Sequence, residues 1–502
     1  MDNSKVVDST TSIITRKDFL APSRVTEIFE SDPNLELHIT EASKSNETHN
    51  HLQSYIVYTI KVGPLMVKRR YSEFEMLRTC LIKTFPTLLI PPIPEKQTLA
   101  SNLTSTTAKS LESHFPAANG TSANNNNPLN LVEYRKRMLS VFLNRCLAID
   151  QIKKCHYFLS FLDPETNFSD FLAMKENQIL YKTSIYKLAP FDPLSNLENQ
   201  IYLTLPVPSA SNFGSFPELA GEEQSENFVK FESKFSKYEA VLDNISRTNK
   251  RLVKHFTEMS PDLTELGSSF KALSLIQDSN SIENVGRVFD RTLIYANQLS
   301  EATNLGLLDK LIELKNFTKI AKRIIQYNRN KAVQLKTVEK SLQDSRAKYK
   351  DYQKQEEEIS RIDALASRAT GSEQSGNSSA EAPLTDAELQ SALYVNAKKP
   401  FYGKIPGIKK INNVILKYTD PNPDQTRKNR IYDLRLKIYQ LERQQEILEE
   451  ELGKINDEIW DQLVKFHEWF KSSLAQLVVE YNKHLGEYIQ INLEAWESCY
   501  NR

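Results

Sequence analysis

No stretch of this 502-residue chain approaches the ~18 consecutive apolar residues that a membrane-spanning helix needs. The N-terminal MDNSKVVDSTTSIITRKDF also lacks the apolar core of a secretory signal. A protein of this kind is expected to meet a membrane only at its surface. Cysteine is scarce too: Cys80, Cys146, Cys155 and Cys499 form no CxxC, and no histidines sit at metal spacing. Neither a disulfide framework nor a metal site is expected, and a reducing compartment fits. With 13 glycines the chain is neither collagen-like nor a Gly-rich disordered polymer. A surplus of one charge sign is missing as well. The 64 basic and 64 acidic residues give no net pull toward nucleic acid, so electrostatic binding must come from local patches. Nucleotide and hydrolase signatures are absent: there is no GxxxxGK[ST], GxSxG or HExxH. His467 and Glu468 lack the second histidine, and Gly403 and Lys404 lack a phosphate loop around them. The expectation is a non-enzyme without a cofactor.

What remains is a chain long enough for two or three units. Residues 1 to about 33 are polar and unpatterned and read as a disordered tail. Alternation in LELHIT and the aromatic, β-branched run QSYIVYTIKV then predict two strands. Gly63 and Pro64 make a turn into a third strand, LMVKRRY, so a small antiparallel sheet opens the unit. Ser72, with Glu75 three residues on, reads as the N-cap of a helix that stops before Pro86. Pro91, Pro92 and Pro94 form an extended segment, and residues 97–130 a polar Ser/Thr/Asn-rich insert. Helix resumes with LVEYRKRMLSVFLNRCL, the unit closes near residue 165, and a proline-rich linker covers 166–222.

From residue 223 to 502 the period changes. Phe228, Phe231, Phe235, Tyr238, Leu242, Ile245, Leu252, Phe256, Met259, Leu263, Leu266, Phe270 and Leu273 follow spacings of three and four, and Asn249 alone breaks the series. That is a heptad seam. Pro261 is expected to kink it. A second helix is expected from about Asn304 to Leu365 and a third from about Arg427 to Tyr500, giving three long antiparallel helices interrupted by a low-complexity insert at about 367–426. Within that insert, GKIPGIKKINNVILKY (403–418) places Ile408, Ile411, Ile415 and Tyr418 on one helical face. It reads equally as an interfacial amphipathic helix or as a segment docked on the bundle.

Lys68-Arg69-Arg70-Tyr71-Ser72-Glu73-Phe74 puts guanidinium groups and an aromatic ring where a strand meets a helix, chemistry suited to a phosphorylated sugar-like ring. Lys68 and Arg69 read as flanking charges, and Phe74 and Leu77 as core. The proline turn ends in Glu95-Lys96, and the next helix carries Arg135, Lys136 and Arg137. These elements together resemble the PX (phox homology) domain over about residues 34–165. The resemblance implies an α+β fold that binds phosphatidylinositol 3-phosphate. Arg70 then looks like the residue holding the 3-phosphate, Tyr71 the ring beneath the inositol, Lys96 the 1-phosphate contact, and Arg135 the arginine at the ring hydroxyls, with Arg137 a competing choice. The polar insert departs from the family pattern, standing where an apolar membrane-inserting loop belongs.

The long-helix half resembles the all-α BAR domain, a dimer of three-helix coiled coils. PX followed by BAR resembles the sorting nexins, and VKRRYSEFEMLR, LIPPIPEKQ and YKLAPFDP are most similar to the fungal, autophagy-linked group of sorting nexins 41 and 42. That implies a peripheral protein on the cytosolic face of endosomes, with the phagophore assembly site as a further location and a second sorting nexin as heterodimer partner. From Lys315 to Lys350 there are eleven basic residues against two acidic ones. Lys315, Lys319, Lys322, Arg323, Arg329 and Lys331 are expected to face an anionic membrane. The competing reading makes this stretch a coiled-coil flank balanced by acids of a neighbouring helix. A passive coiled-coil tether addressed by its PX unit is the other open alternative.

Overall fold

The computed structural model describes residues 24–45, 55–95, 128–193, 200–208, 223–370 and 423–500. The elements are α1 (Arg24–Ser31), β1 (His38–Ser45), β2 (Tyr55–Val62), β3 (Leu65–Arg70), α2 (Tyr71–Thr84), α3 (Pro128–Leu147), α4 (Asp150–Lys153), α5 (His156–Leu162), α6 (Phe168–Ala173), α7 (Lys175–Lys182), α8 (Gln200–Thr204), α9 (Glu223–Gln277), α10 (Asn280–Ala302), α11 (Asp309–Thr370) and α12 (Pro423–Tyr500). They fall into two compact units, one of residues 1–181, 227–325 and 459–502, the other of 182–226 and 326–458.

In the first unit, β1, β2 and β3 form an antiparallel sheet in that order. Val62 pairs with Leu65, so Gly63 and Pro64 are the whole turn; Gly63 takes φ +56°, which costs a residue without Cβ little. Two-residue closure fixes the register down to Val57 opposite Arg70. Phe74, fully buried, packs edge-on to Tyr58, Phe142 and Phe161, joining sheet, α2, α3 and α5 in one core. Ser140 Oγ and Asn144 Nδ2 both donate to the Leu37 carbonyl, while Leu37 N–H donates to Asn144 Oδ1, pinning α3 to the approach to β1.

Two expectations need correction here. Residues 24–31, assigned to the disordered tail, form α1, because Val25 and Phe29 lie four apart on one face and both bury. The N-cap of α2 is Arg70, not Ser72: the Arg70 N–H donates to Glu73 Oε2 at 2.7 Å.

The same unit contains helical segments from α9 to α12. Phe228 and Phe231 pack on Trp460, Phe235 on Phe466, Tyr238 on Phe470 and Phe256 on Tyr488, so these parts of α9 and α12 run parallel. α10 and the start of α11 run against both, as Phe270 on Phe289 and Phe317 on Phe466 require. The middle helix begins at Asn280 rather than Asn304, and a π-helical turn at Thr303–Leu308 joins α10 to α11. Gly267 and Gly286 let α9 and α10 touch: a Cβ on Gly286 would lie 2.8 Å from the Gly267 carbonyl oxygen. α9 stays helical through Pro261.

The heptad seam divides in two. Phe228, Phe231, Phe235 and Leu242 are buried. Ile245, Leu252, Met259, Leu266 and Leu273, seven residues apart each time, remain 37–43% exposed. On α12, Ile489, Leu493, Trp496 and Tyr500 make a second exposed stripe at spacings of four, three and four.

The second unit pairs α11 from Gln326 onward with α12 up to Glu458, antiparallel, through Arg346–Glu442 at 2.7 Å and Arg427–Glu356 at 2.5 Å. The segment read as a linker packs on its neighbours where described. Its first part, with Phe168, Phe171 and Leu180 buried, belongs to the first unit. Its later part is held on the α11–α12 hairpin of the second unit. Tyr186 stacks on Tyr327, and Gln334 Nε2 donates to the Tyr186 and Pro206 carbonyls at 2.8 Å. Tyr202 donates to Glu451 Oε1 at 2.7 Å. The 97–130 insert before Pro128, and the 403–418 segment, lie outside the described residues.

Burying Phe235 among Phe231, Tyr238 and Phe466 predicts that Phe235→Ala removes about 3–5 kcal/mol. Exposed Met66→Ala stays within about 0.5 kcal/mol. Thermal unfolding followed by circular dichroism compares the two.

Candidate functional site

Strand β3 alternates, and the alternation separates the two adjacent arginines. Val67 and Arg69 point inward, whereas Lys68 is exposed. Arg69 is 6% exposed, while the Arg70 side chain is 42% exposed. Arg69 is therefore no flanking charge. Its Nε donates to the Phe161 carbonyl at 2.8 Å, and its Nη2 to the carbonyls of Asp163 (2.8 Å) and Thr166 (2.9 Å), with Ser160 at 3.4 Å. Burial pulls its pKa down from the usual arginine value, partly offset by Glu73 and Asp163.

Arg70 ends the strand and caps α2. Its guanidinium lies over the Tyr55 ring at 5.2 Å, with Nε 4.0 Å from Glu73 Oε2. Sequence reasoning missed Tyr55 and Glu73. The signal was present in the hairpin: Val57 opposite Arg70 puts Tyr55 on the same face, diagonal to it.

Tyr71 is the first residue of α2. Its hydroxyl donates to the Pro94 carbonyl, which ties the proline loop to the helix start. Burial, followed by the charge of Glu75, raises its pKa, so it stays neutral. The Arg135 guanidinium of α3 lies over its ring at 4.5 Å, and Arg135 Nε is buried without a hydrogen-bond partner. Arg137, the competing choice, is committed elsewhere: its Nε donates to Asp309 Oδ2 of α11 at 2.8 Å. Burial pushes the Asp309 carboxyl up against the opposing pull of Arg137. The structure thus brings Tyr71 and Arg135 together beside Arg70. Lys96 lies outside the described residues.

Much of the basic stretch of α11 lies close to carboxylates. Lys315 Nζ is 2.5 Å from Asp243, and Lys322 Nζ is 2.5 Å from Glu239, both on α9. Lys319 reaches Glu95 at 3.4 Å. Lys331 is 2% exposed, its Nζ 3.7 Å from Glu451 Oε2, and Arg329 donates to Gln326 Oε1. Acids claim the four lysines, three of them from neighbouring helices, because a heptad helix in a bundle has flanks on both sides of its seam. Arg323 is the exposed exception.

A family model described as PX domain matches residues 57–165. Among curated relatives, the chain is similar to Sorting nexin-41 of Yarrowia lipolytica, 30% identical over 92% of this chain and 78% of that protein. Autophagy-related protein 20 of Gibberella zeae is 27% identical over 95% of this chain and 85% of its own. Among solved structures, the cryo-EM structure of the SNX-BAR Mvp1 tetramer matches 92% of this chain and 99% of its own, at 14% identity and TM-score 0.44.

The opposed environments of Lys68 and Arg69 give a test. Arg69→Ala removes the donor to the Phe161, Asp163 and Thr166 carbonyls and is expected to cost on the order of 3 kcal/mol or more, whereas Lys68→Ala leaves stability unchanged. Urea unfolding of both variants measures the difference.

Proposed function

The chain belongs to the sorting nexin family, in the group of Sorting nexin-41 and Autophagy-related protein 20, and from that membership we propose that it is a peripheral membrane adaptor that binds phosphatidylinositol 3-phosphate on the cytosolic face of endosomes. Its work is protein sorting and recycling and autophagy-related transport, with the phagophore assembly site as a second location. The observation that carries the reading is the Arg135 guanidinium on the Tyr71 ring, next to the half-exposed Arg70. In this reading the Arg70 fork takes the 3-phosphate. The Tyr71 ring lies under the inositol, Lys96 takes the 1-phosphate, and Arg135 the ring hydroxyls. Glu73 and Tyr55 hold Arg70 in place without neutralising it fully.

Assembly follows from the two exposed stripes. Apolar side chains repeated every seven residues on a helix call for a facing helix, and Leu252, Met259, Leu266 and Leu273 keep more than a third of their surface exposed. A BAR-type dimer with another sorting nexin supplies that face. Two pockets on one dimer then bind with raised effective concentration.

A second reading, the passive tether, is favoured by the pairing of Lys315, Lys322 and Lys331 with acidic residues, which leaves little of a broad basic face on α11. A curved dimer and a straight rod give different small-angle scattering profiles, and that measurement separates the two.

Arg70→Ala is expected to weaken binding to vesicles containing phosphatidylinositol 3-phosphate by roughly 10- to 150-fold with an unchanged melting temperature. Equal affinity of variant and wild type in vesicle sedimentation would refute the site. Leu252→Asp with Leu266→Asp is expected to yield a folded monomer in analytical ultracentrifugation. A dimer that survives both substitutions would rule out the stripe as the interface.

A further inference from the structure

Helix α9 carries five apolar side chains at intervals of seven: Ile245, Leu252, Met259, Leu266 and Leu273. Each keeps 37–43% of its surface exposed, while Ser246, Val253, Gly267 and Ser274, each one position further on, are buried. The stripe therefore runs along the edge of the core. On its outer side, one position before a stripe residue each time, Arg251, Glu258 and Glu265 stand exposed. Single exposed apolar residues are ordinary on a protein surface, but a regular stripe over four heptads, about 42 Å of helix, is what a facing helix requires.

The charges beside the stripe are divided between its two halves. Arg247, Arg251 and Lys254 lie in the first half, and Glu258, Asp262 and Glu265 in the second, all of them exposed. Two parallel copies of α9 would set Arg251 against Arg251 and Glu265 against Glu265. Two antiparallel copies set each basic half against an acidic one. If Met259 meets Met259, Leu252 falls opposite Leu266 and Ile245 opposite Leu273, so all five apolar side chains find an opposite. A shift by one heptad leaves one end of the stripe without any. In this register Arg251 lies across from Glu265 and His255 from Asp262. The two copies of Glu258 come near each other, but each already has its own Lys254 at 3.1 Å and His255 at 3.7 Å. Methionine suits the centre, because an unbranched thioether adapts to packing on its own copy.

We propose that the α9 stripe takes a second copy of this chain, antiparallel, on a two-fold axis at Met259, with Arg251 of each copy beside Glu265 of the other. Such a pairing is isologous, so every contact occurs twice and the assembly closes at two chains. The apolar stripe supplies the attraction. The charges set direction and register, since exposed opposite pairs add little affinity while like charges placed together oppose it. This rests on the reading that the stripe is the assembly face, and it names an occupant of that face. A different sorting nexin would need the same division of charge along its own helix to fit in its place.

The test uses the full chain with Cys499→Ser as background, which leaves Cys80, Cys146 and Cys155, all buried. In that background Met259→Cys is expected to give a disulfide-linked dimer on mild oxidation, because a residue on the axis meets its own copy. Leu266→Cys is expected to stay unlinked: its two copies lie about 14 residues of helix apart, roughly 21 Å, beyond the ~7 Å that a disulfide spans. Sedimentation equilibrium gives a second readout. Arg251→Glu is expected to weaken self-association about tenfold, Glu265→Arg likewise, and the two substitutions together to restore it. Linking at Leu266→Cys as readily as at Met259→Cys marks a parallel pair and overturns the register, as does a double charge exchange that restores nothing. A wild type that stays monomeric at micromolar concentration overturns the second copy as occupant, and the face then belongs to a different protein. Failure of the underlying reading is distinguishable: the chain dimerises, yet Leu252→Asp with Leu266→Asp leaves that dimer intact.

Discussion

Arg69 is the residue on which the geometry of the ligand site depends. Its guanidinium spends its donors on backbone carbonyls of Phe161, Asp163 and Thr166, almost a hundred residues away in sequence. Those bonds fix the end of β3 against the end of α5, and the strand's alternation then leaves Arg70 no choice but to face outward. The chain turns into α2 at that residue, so Tyr71 inherits its position from the same anchor. An arginine suits the task because no shorter side chain offers five donors in a plane. Two neighbouring residues of identical chemistry thus do opposite jobs: one spends its charge inside the fold, and the other keeps it available.

The same division runs through the helical half. An excess of nine positive charges within thirty-six residues suggests a basic face, yet the bundle absorbs most of it. Asp243, Glu239 and Glu451 sit where the heptad flanks bring them, and each takes one lysine. Charge left over after such pairing is informative in a way that raw charge is not.

Local devices were legible in the sequence, and long-range pairings were not. Gly63-Pro64 fixed the hairpin, and LMVKRRYSEF marked the strand-to-helix junction. The 3–4 spacing from Phe228 to Leu273 foretold a long helix of the length found. α1 escaped notice because an eight-residue helix shows only Val25 and Phe29 as a pattern. The cap of α2 was misplaced because Glu73 can serve a cap at Arg70 as readily as Glu75 can serve one at Ser72. The choice between Arg135 and Arg137 depended on Asp309, more than 170 residues away, and only packing decides where that carboxylate falls. The fate of the α11 lysines was hidden for the same reason, since it depends on the register between helices that no single segment encodes.

The clamp on the linker has a consequence for how the chain is made. Tyr202 finds Glu451 across a sequence separation of 249 residues, and Gln444 Nε2 donates to Thr204 Oγ1 across 240. At about 5–20 residues added per second, the ribosome needs roughly ten to fifty seconds to supply those partners after the linker has left it. Throughout that interval Tyr202 and Leu205, and the face of α11 they share once it has emerged, lack the cover that Leu441 and Leu448 of α12 supply. The buried polar groups Lys331 and Glu451 limit the hazard, because an unpaired charge penalises every hydrophobic misalliance that would cover it. The interior ion pair, weak as a source of stability, thereby disfavours wrong pairings more than it strengthens the right one.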